Sequence, residues 1–143
     1  MYKMNEKNRC LLLLQVIKDN IAKGNKPIYN PFCMFGLTKK ERFSIFFRYF
    51  NKSFNSKYKI KYISCEKINE NDILNGEKKL VIIENIDYLE NDENMQRDIY
   101  YALINDFLKD RTQFILCSDK YVENLNLEEK LKNILKSGLC IKL

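Results

Sequence analysis

The stretch that most constrains the fold is Lys79-Leu80-Val81-Ile82-Ile83-Glu84-Asn85-Ile86-Asp87-Tyr88-Leu89. Four consecutive apolar residues, Leu80 to Ile83, three of them β-branched, run straight into a polar pair. A short apolar run without alternation suits a strand covered on both faces, as in a parallel sheet flanked by helices. Glu84-Asn85 then falls at the carboxyl end of that strand, where open α/β sheets place their ligand crevice.

The rest of the chain supplies the layers. Residues 6–23 carry Leu13, Val16, Ile17 and Ile21 at helical spacing, and Gly24-Asn25 with Pro27 ends the helix. Residues 31–36, Pro-Phe-Cys-Met-Phe-Gly, read as a buried strand closing on Gly36. A second helix starts near Lys39, and its Phe43, Phe46, Phe47, Phe50 and Phe54 form a helical stripe that reads as core, with no ligand role. Alternation over residues 58–64 predicts a half-exposed strand near the sheet edge, where lysines discourage edge-to-edge pairing. Residues 66–78 are polar, with room for a short helical turn.

Asp92 is placed to cap a helix over 93–109, with Met95, Ile99, Ala102, Leu103 and Phe107 on one side. Thr112–Cys117 reads as a buried strand ending at Ser118-Asp119. Leu127, Leu131, Ile134 and Leu135 stripe a last helix, Gly138 ends it, and Leu139–Leu143 forms a final short strand. Five strands alternating with helices predict a single domain, residues 1–143, built as a three-layer α/β/α sandwich on a mostly parallel sheet.

Composition excludes some chemistry. The chain has no His, which removes imidazole zinc sites and His-based acid–base catalysis. Its five Cys, at 10, 33, 65, 117 and 140, show no C-x-x-C spacing and lie in or beside apolar runs. They read as free thiols behaving as small hydrophobes, in a reducing cytoplasm. Lys3, Lys7 and Arg9 before Cys10–Leu14 imitate a secretory signal, but Gln15, Lys18 and Asp19 break it, so it reads as a helix of the mature protein. No stretch is long enough to cross a membrane. The net charge of +6 permits nucleic-acid contact through Lys57, Lys59, Lys61, Lys109 and Arg111, although these fall on predicted solvent faces.

Three stretches together resemble the nucleotide-binding domain of the DnaA/Hda family of AAA+ ATPases. Tyr29-Asn30-Pro31-Phe32-Cys33-Met34-Phe35-Gly36 is similar to the family's Asn-Pro-Leu-Phe-Ile-Tyr-Gly strand into its phosphate loop. Leu80–Leu89 is similar to the Walker B strand, Leu-Leu-Ile-Asp-Asp-Ile-Gln-Phe-Leu. Phe114–Lys120, with Leu125 and Leu127–Leu139, is similar to the sensor-1 strand and the helix after it, and Asn8-Arg9 matches a pair that begins the first helix. The likeness covers about residues 8–143. It implies a P-loop NTPase fold of the AAA+ core type.

Measured against that family, the catalytic positions are changed. A phosphate loop reads G-x-x-x-x-G-K-[ST]. Counting from Gly36 puts Glu41 at the second Gly, Arg42 at the Lys and Phe43 at the Ser/Thr; using Lys39 or Lys40 instead leaves too short a loop. A carboxylate about 4 Å from a phosphate charge is repelled by roughly 1–4 kcal/mol. Phe43 cannot ligate magnesium, and Arg42 lacks the point-charge geometry of Lys. The Walker B acids correspond to Glu84 and Asn85, the arginine finger to Ile134, with Lys132 two residues before it. Ser118-Asp119 keeps the sensor-1 pattern. The family's helical lid and helix-turn-helix DNA reader have no counterpart here, and Met1–Lys7 holds no Gln of the kind in the family's clamp-binding motif.

The resemblance therefore implies a pseudo-ATPase without a resident cofactor or metal. It would act in replication initiation or its regulation by contacting the initiator or another replisome protein. The alternatives are an atypical nucleotide-binding P-loop ATPase, for which Lys39, Lys40 and Arg42 at a helix N-terminus could attract an anion, or a sequence-independent nucleic-acid binder. For those three cations the bland reading is a solvated basic first turn.

Overall fold

Leu80 to Ile83 lie fully buried within a five-stranded sheet. The structure, a computed structural model, describes residues 5–50, 59–68, 79–109 and 112–143. In chain order these give α1 (Glu6–Ala22), β1 (Phe32–Phe35), α2 (Lys39–Tyr49), β2 (Lys59–Ser64), β3 (Lys79–Glu84), α3 (Glu93–Lys109), β4 (Thr112–Ser118), α4 (Glu129–Lys136) and β5 (Leu139–Lys142). The strand order is β2-β3-β4-β1-β5, and every pairing is parallel.

Side chains alternate across each strand, so the two faces collect separate cores. Leu80 and Ile82 join Phe32, Met34 and Ile115 beneath Leu14 and Ile17 of α1 and Phe46 of α2. Val81 and Ile83 join Cys33, Phe35 and Phe114 beneath Leu103 of α3 and Leu131 of α4. Among the described residues no helix is long and apolar enough to cross a membrane.

Local signals fix the element ends. Asn5 accepts the Asn8 N–H at 2.8 Å at the start of α1. Asp92 accepts the Met95 N–H at 2.9 Å at the start of α3. The Asn30 amide donates to the Thr112 carbonyl at 2.8 Å and accepts from Phe114 N–H at 2.9 Å, which seats the entry to β1 against β4. After β1 the chain crosses to the β2 edge, whereas after β4 it crosses to β5. The switch point, and with it the crevice of an open sheet, falls between the carboxyl ends of β1 and β4.

The phenylalanine stripe is corrected by the structure. Phe46 and Phe50 are buried, but Phe43 and Phe47 are 50% and 69% exposed. The inward positions of α2 are Arg42, Phe46 and Phe50, four residues apart, which turns Phe43 and Phe47 about a quarter-turn or more outward. Phe54, Lys57 and Arg111, and the side chains of Phe107 and Lys109, lie outside the described residues.

All five cysteines are free thiols, in no disulfide, and all but Cys140 are buried. Burial pushes the Cys10 and Cys65 thiols up to about 12 and holds Cys33 and Cys117 well above the usual thiol range. Cys140 is shifted down, chiefly by its hydrogen bond with Cys33. Alkylation by iodoacetamide near neutral pH, read by peptide mass spectrometry, is therefore predicted to modify Cys140 first and the other four only on unfolding. Equal labelling of Cys33 or Cys117 in the folded protein would contradict this packing.

A filled crevice at the carboxyl ends of the sheet

Three residues, Gly36-Leu37-Thr38, connect β1 to α2. Gly36 (φ 98°) and Leu37 (φ 60°) are both left-handed. Gly36 is held close: a Cβ there would sit 2.4 Å from the Leu143 carbonyl oxygen, and its N–H donates to the Ser118 carbonyl at 3.0 Å. The backbone reversal turns the Gly36 and Leu37 carbonyls inward, toward the switch point.

What meets them is the guanidinium of Arg42. Its Nη1 donates to the Gly36 and Leu37 carbonyls at 2.7 and 2.8 Å. Its Nε donates to both Glu84 oxygens at 3.1 Å. Nη2 donates to Glu84 Oε1 at 2.5 Å and to Asp119 Oδ1 at 2.8 Å. Those contacts use all five N–H donors that an arginine possesses. The Arg42 and Glu84 side chains are 2% and 0% exposed. Burial works against the arginine's charge, but its hydrogen bonds to Glu84 and Asp119 outweigh it and hold the guanidinium protonated.

The polarity of this pocket decides what it can hold. A phosphate site presents N–H donors and net positive potential. The groups that meet the guanidinium are acceptors: carbonyls of Gly36 and Leu37, and carboxylates of Glu84 and Asp119. One arginine against two carboxylates leaves the cluster net negative. Such a lining suits a cation, and the guanidinium is that cation.

Helix α2 also closes its own N-terminus. Thr38 Oγ1 accepts the Glu41 N–H at 3.1 Å, and Glu41 Oε1 accepts the Thr38 N–H at 3.2 Å. This reciprocal cap satisfies donors that would otherwise face an anion. Glu41 thus stands on the helix surface rather than in a loop, Lys39 and Lys40 point to solvent, and Phe43 faces outward. Arg42 departs from the solvated first turn read from sequence, because its length lets it reach back to the strand tips.

Glu84 takes one further bond from the Asn85 N–H at 3.2 Å; Asn85 itself is left-handed and donates its amide to Glu66 at 3.2 Å. Ser118 Oγ donates to Asp87 at 3.2 Å and accepts the Lys120 N–H at 3.1 Å. The crevice thus brings together Gly36, Arg42, Glu84 and Asp119. Ile134 packs into the other core under α3 and α4, away from this cluster. Tyr62, not singled out from sequence, is pushed up to about 12, first by burial and next by the nearby Glu84 carboxylate.

Breaking this pair from one side is predicted to be costly. Arg42→Met strands Glu84 without its counter-charge, a loss of about 3–5 kcal/mol, and Arg42→Met with Glu84→Leu recovers most of it. Asp119→Asn is predicted to stay within about 1 kcal/mol, because that carboxylate is exposed. Urea denaturation of the variants tests all of these. A loss under about 1 kcal/mol for Arg42→Met would contradict the arrangement.

The sequence matches the profile of the bacterial DnaA ATPase domain over residues 9–142. Among curated proteins, none matches the sequence. Domain III of the replication initiation protein DnaA from Thermotoga maritima superposes with a TM-score of 0.73 at 13% identity, covering 100% of this chain and 64% of that one. AMPPCP-bound DnaA from Aquifex aeolicus gives 0.71 at 18% identity, over 99% of this chain and 48% of that one. Thermotoga maritima RuvB gives 0.57 at 14% identity, over 91% and 42%. This chain spans less than two thirds of the length of each. The likeness establishes the AAA+ P-loop NTPase fold, and the profile match along nearly the whole sequence establishes that the chain belongs to the bacterial DnaA ATPase domain family.

Proposed function

We infer that this chain is a non-hydrolysing DnaA-like domain that acts through protein contacts in replication initiation or its regulation. The observation that carries the reading is the Arg42–Glu84 pair, whose guanidinium stands at the switch-point crevice and is bonded to Gly36, Leu37 and Asp119. Phosphoryl transfer requires donors, a cation from the loop and a metal held by an acid. In this chain the acid is committed to an arginine, and the loop offers carbonyls. Family membership supplies the replication context, and a partner protein such as the initiator or another replisome component fits it. The expected compartment is the cytoplasm.

Nucleotide retained at another point of the same surface is the second reading. It draws on a cleft of about 270 Å³ between α1 and α2, where Lys7 and Arg48 stand beside Leu37, Ser44 and the Glu41 carboxylate.

Thermal denaturation separates the two. A ligand at one hundred times its Kd stabilises the native state by about 2.7 kcal/mol, several degrees for a domain this size. Millimolar ATP or ADP with magnesium is predicted to leave Tm unchanged, and no phosphate release is expected. A rise of several degrees with either nucleotide would favour the second reading, and turnover would overturn the first.

A further inference from the structure

Cys33 on β1 and Cys140 on β5 are in-register neighbours across a parallel strand pair, so their side chains leave the same face of the sheet. Both thiols reach one oxygen. Cys33 Sγ donates to the Leu135 carbonyl at 3.3 Å, and Cys140 Sγ donates to the same carbonyl at 3.4 Å. That carbonyl lies in the last turn of α4, and the Leu139 N–H that would continue the helix donates to the Pro31 carbonyl instead, at 3.1 Å. The two sulfurs also stand within hydrogen-bonding reach of each other. Neighbouring strands lie about 4.7–4.9 Å apart, inside the roughly 4.4–6.8 Å between Cα atoms that a disulfide spans.

The two thiols differ in access. Cys33 is fully buried, whereas Cys140, on the edge strand β5, is partly exposed. The hydrogen bond from Cys33 favours the Cys140 thiolate, and Lys136 and Lys142 add to it; burial and Glu123 oppose it, and the net shift is downward. Glu123 is itself paired with Lys142 at 3.0 Å. Partial exposure and thiolate character select Cys140 as the sulfur that an oxidant reaches, with a second thiol already beside it. The other cysteines lack this arrangement: Cys10, Cys65 and Cys117 are buried, and none has a cysteine as its strand-pair neighbour.

We propose that Cys33 and Cys140 form a peroxide-sensing dithiol, in which Cys140 is oxidised first and Cys33 resolves it to a reversible disulfide. In the first step the Cys140 thiolate attacks one peroxide oxygen. An S–O bond forms, the O–O bond breaks, and the departing hydroxide takes up the proton that the thiol released, as water. In the second step the Cys33 sulfur attacks the Cys140 sulfenic acid. The S–S bond forms, the S–O bond breaks, and the hydroxyl leaves with the Cys33 proton as a second water. Two electrons pass from the sulfurs to the peroxide. Burial holds Cys33 as a thiol, so the second step depends on adjacency for its rate. In-register Cβ atoms run side by side at about the strand spacing, wider than the roughly 3.5–4.5 Å of a relaxed bridge, which makes the bond easily reduced again. While it lasts it fastens β5 to β1 and takes both S–H donors away from Leu135.

The test treats the folded protein with submillimolar hydrogen peroxide near neutral pH and reads intact mass and non-reduced peptide maps. The wild type is expected to lose two hydrogens, to yield a peptide pair joining Cys33 to Cys140, and to revert with dithiothreitol. Cys33→Ser, which keeps a hydroxyl donor for the Leu135 carbonyl, is expected to accumulate Cys140 sulfenic acid that dimedone traps. Cys140→Ser is expected to slow oxidation of Cys33 about tenfold or more, because the exposed thiolate is gone. If either variant fails to fold, dimedone added to the wild type together with peroxide serves in its place, and is expected to label Cys140 at the expense of the disulfide. Oxidation of Cys140 to sulfinic acid with Cys33 still free, a bridge between Cys10 and Cys117, a dimer linked through Cys140, or no oxidation at all would each overturn the proposal.

Discussion

An arginine and a glutamate, both out of water at the carboxyl ends of β1, β3 and β4, set the terms for the rest of this molecule. Burying two charges is tolerable only if every donor and most lone pairs find partners. That condition explains the left-handed Gly36-Leu37 turn, which supplies two carbonyls, and the placement of Asp119, which supplies a second carboxylate. It also fixes the rotation of α2, since Arg42 must face the sheet for its guanidinium to reach Glu84. The outward aromatic face on the same helix is a consequence of that rotation.

Relative to the family's catalytic pattern, the change is an inversion of polarity. A phosphate loop offers N–H groups to an anion; this loop offers carbonyls to a cation. A reciprocal Thr38–Glu41 cap takes up donors at the helix N-terminus that an anion would otherwise use. Several small alterations therefore point the same way, and together they support a domain whose cleft is structural and whose surface is available for contacts.

Much of the fold was legible because its signals are local and strong. An unalternating β-branched run at Val81–Ile83 admits few alternatives to a central parallel strand, and alternation at Lys59–Ser64 placed β2 at the edge. Asp92 was recognisable as a cap by its chemistry. The phenylalanine stripe was not read correctly, because spacing alone cannot say which of two neighbouring faces turns inward. A charged residue among aromatics looks like a solvent position, yet Arg42 outcompeted Phe43 and Phe47 for the interior by having a buried carboxylate to meet. The changes at Arg42 and Glu84 were each visible in the sequence. Their pairing was not, although two long side chains of opposite charge, at the positions that the family resemblance aligns with the phosphate loop and the Walker B strand, carried the signal.

The most direct test is a crystal structure determined from protein grown and soaked with a non-hydrolysable ATP analogue and magnesium at millimolar concentration. The Arg42 guanidinium is expected to remain bonded to Glu84, with no ordered phosphates between Gly36 and Phe43. Phosphates ordered along that segment, with magnesium on Glu84 and Arg42 swung out of the crevice, would contradict it.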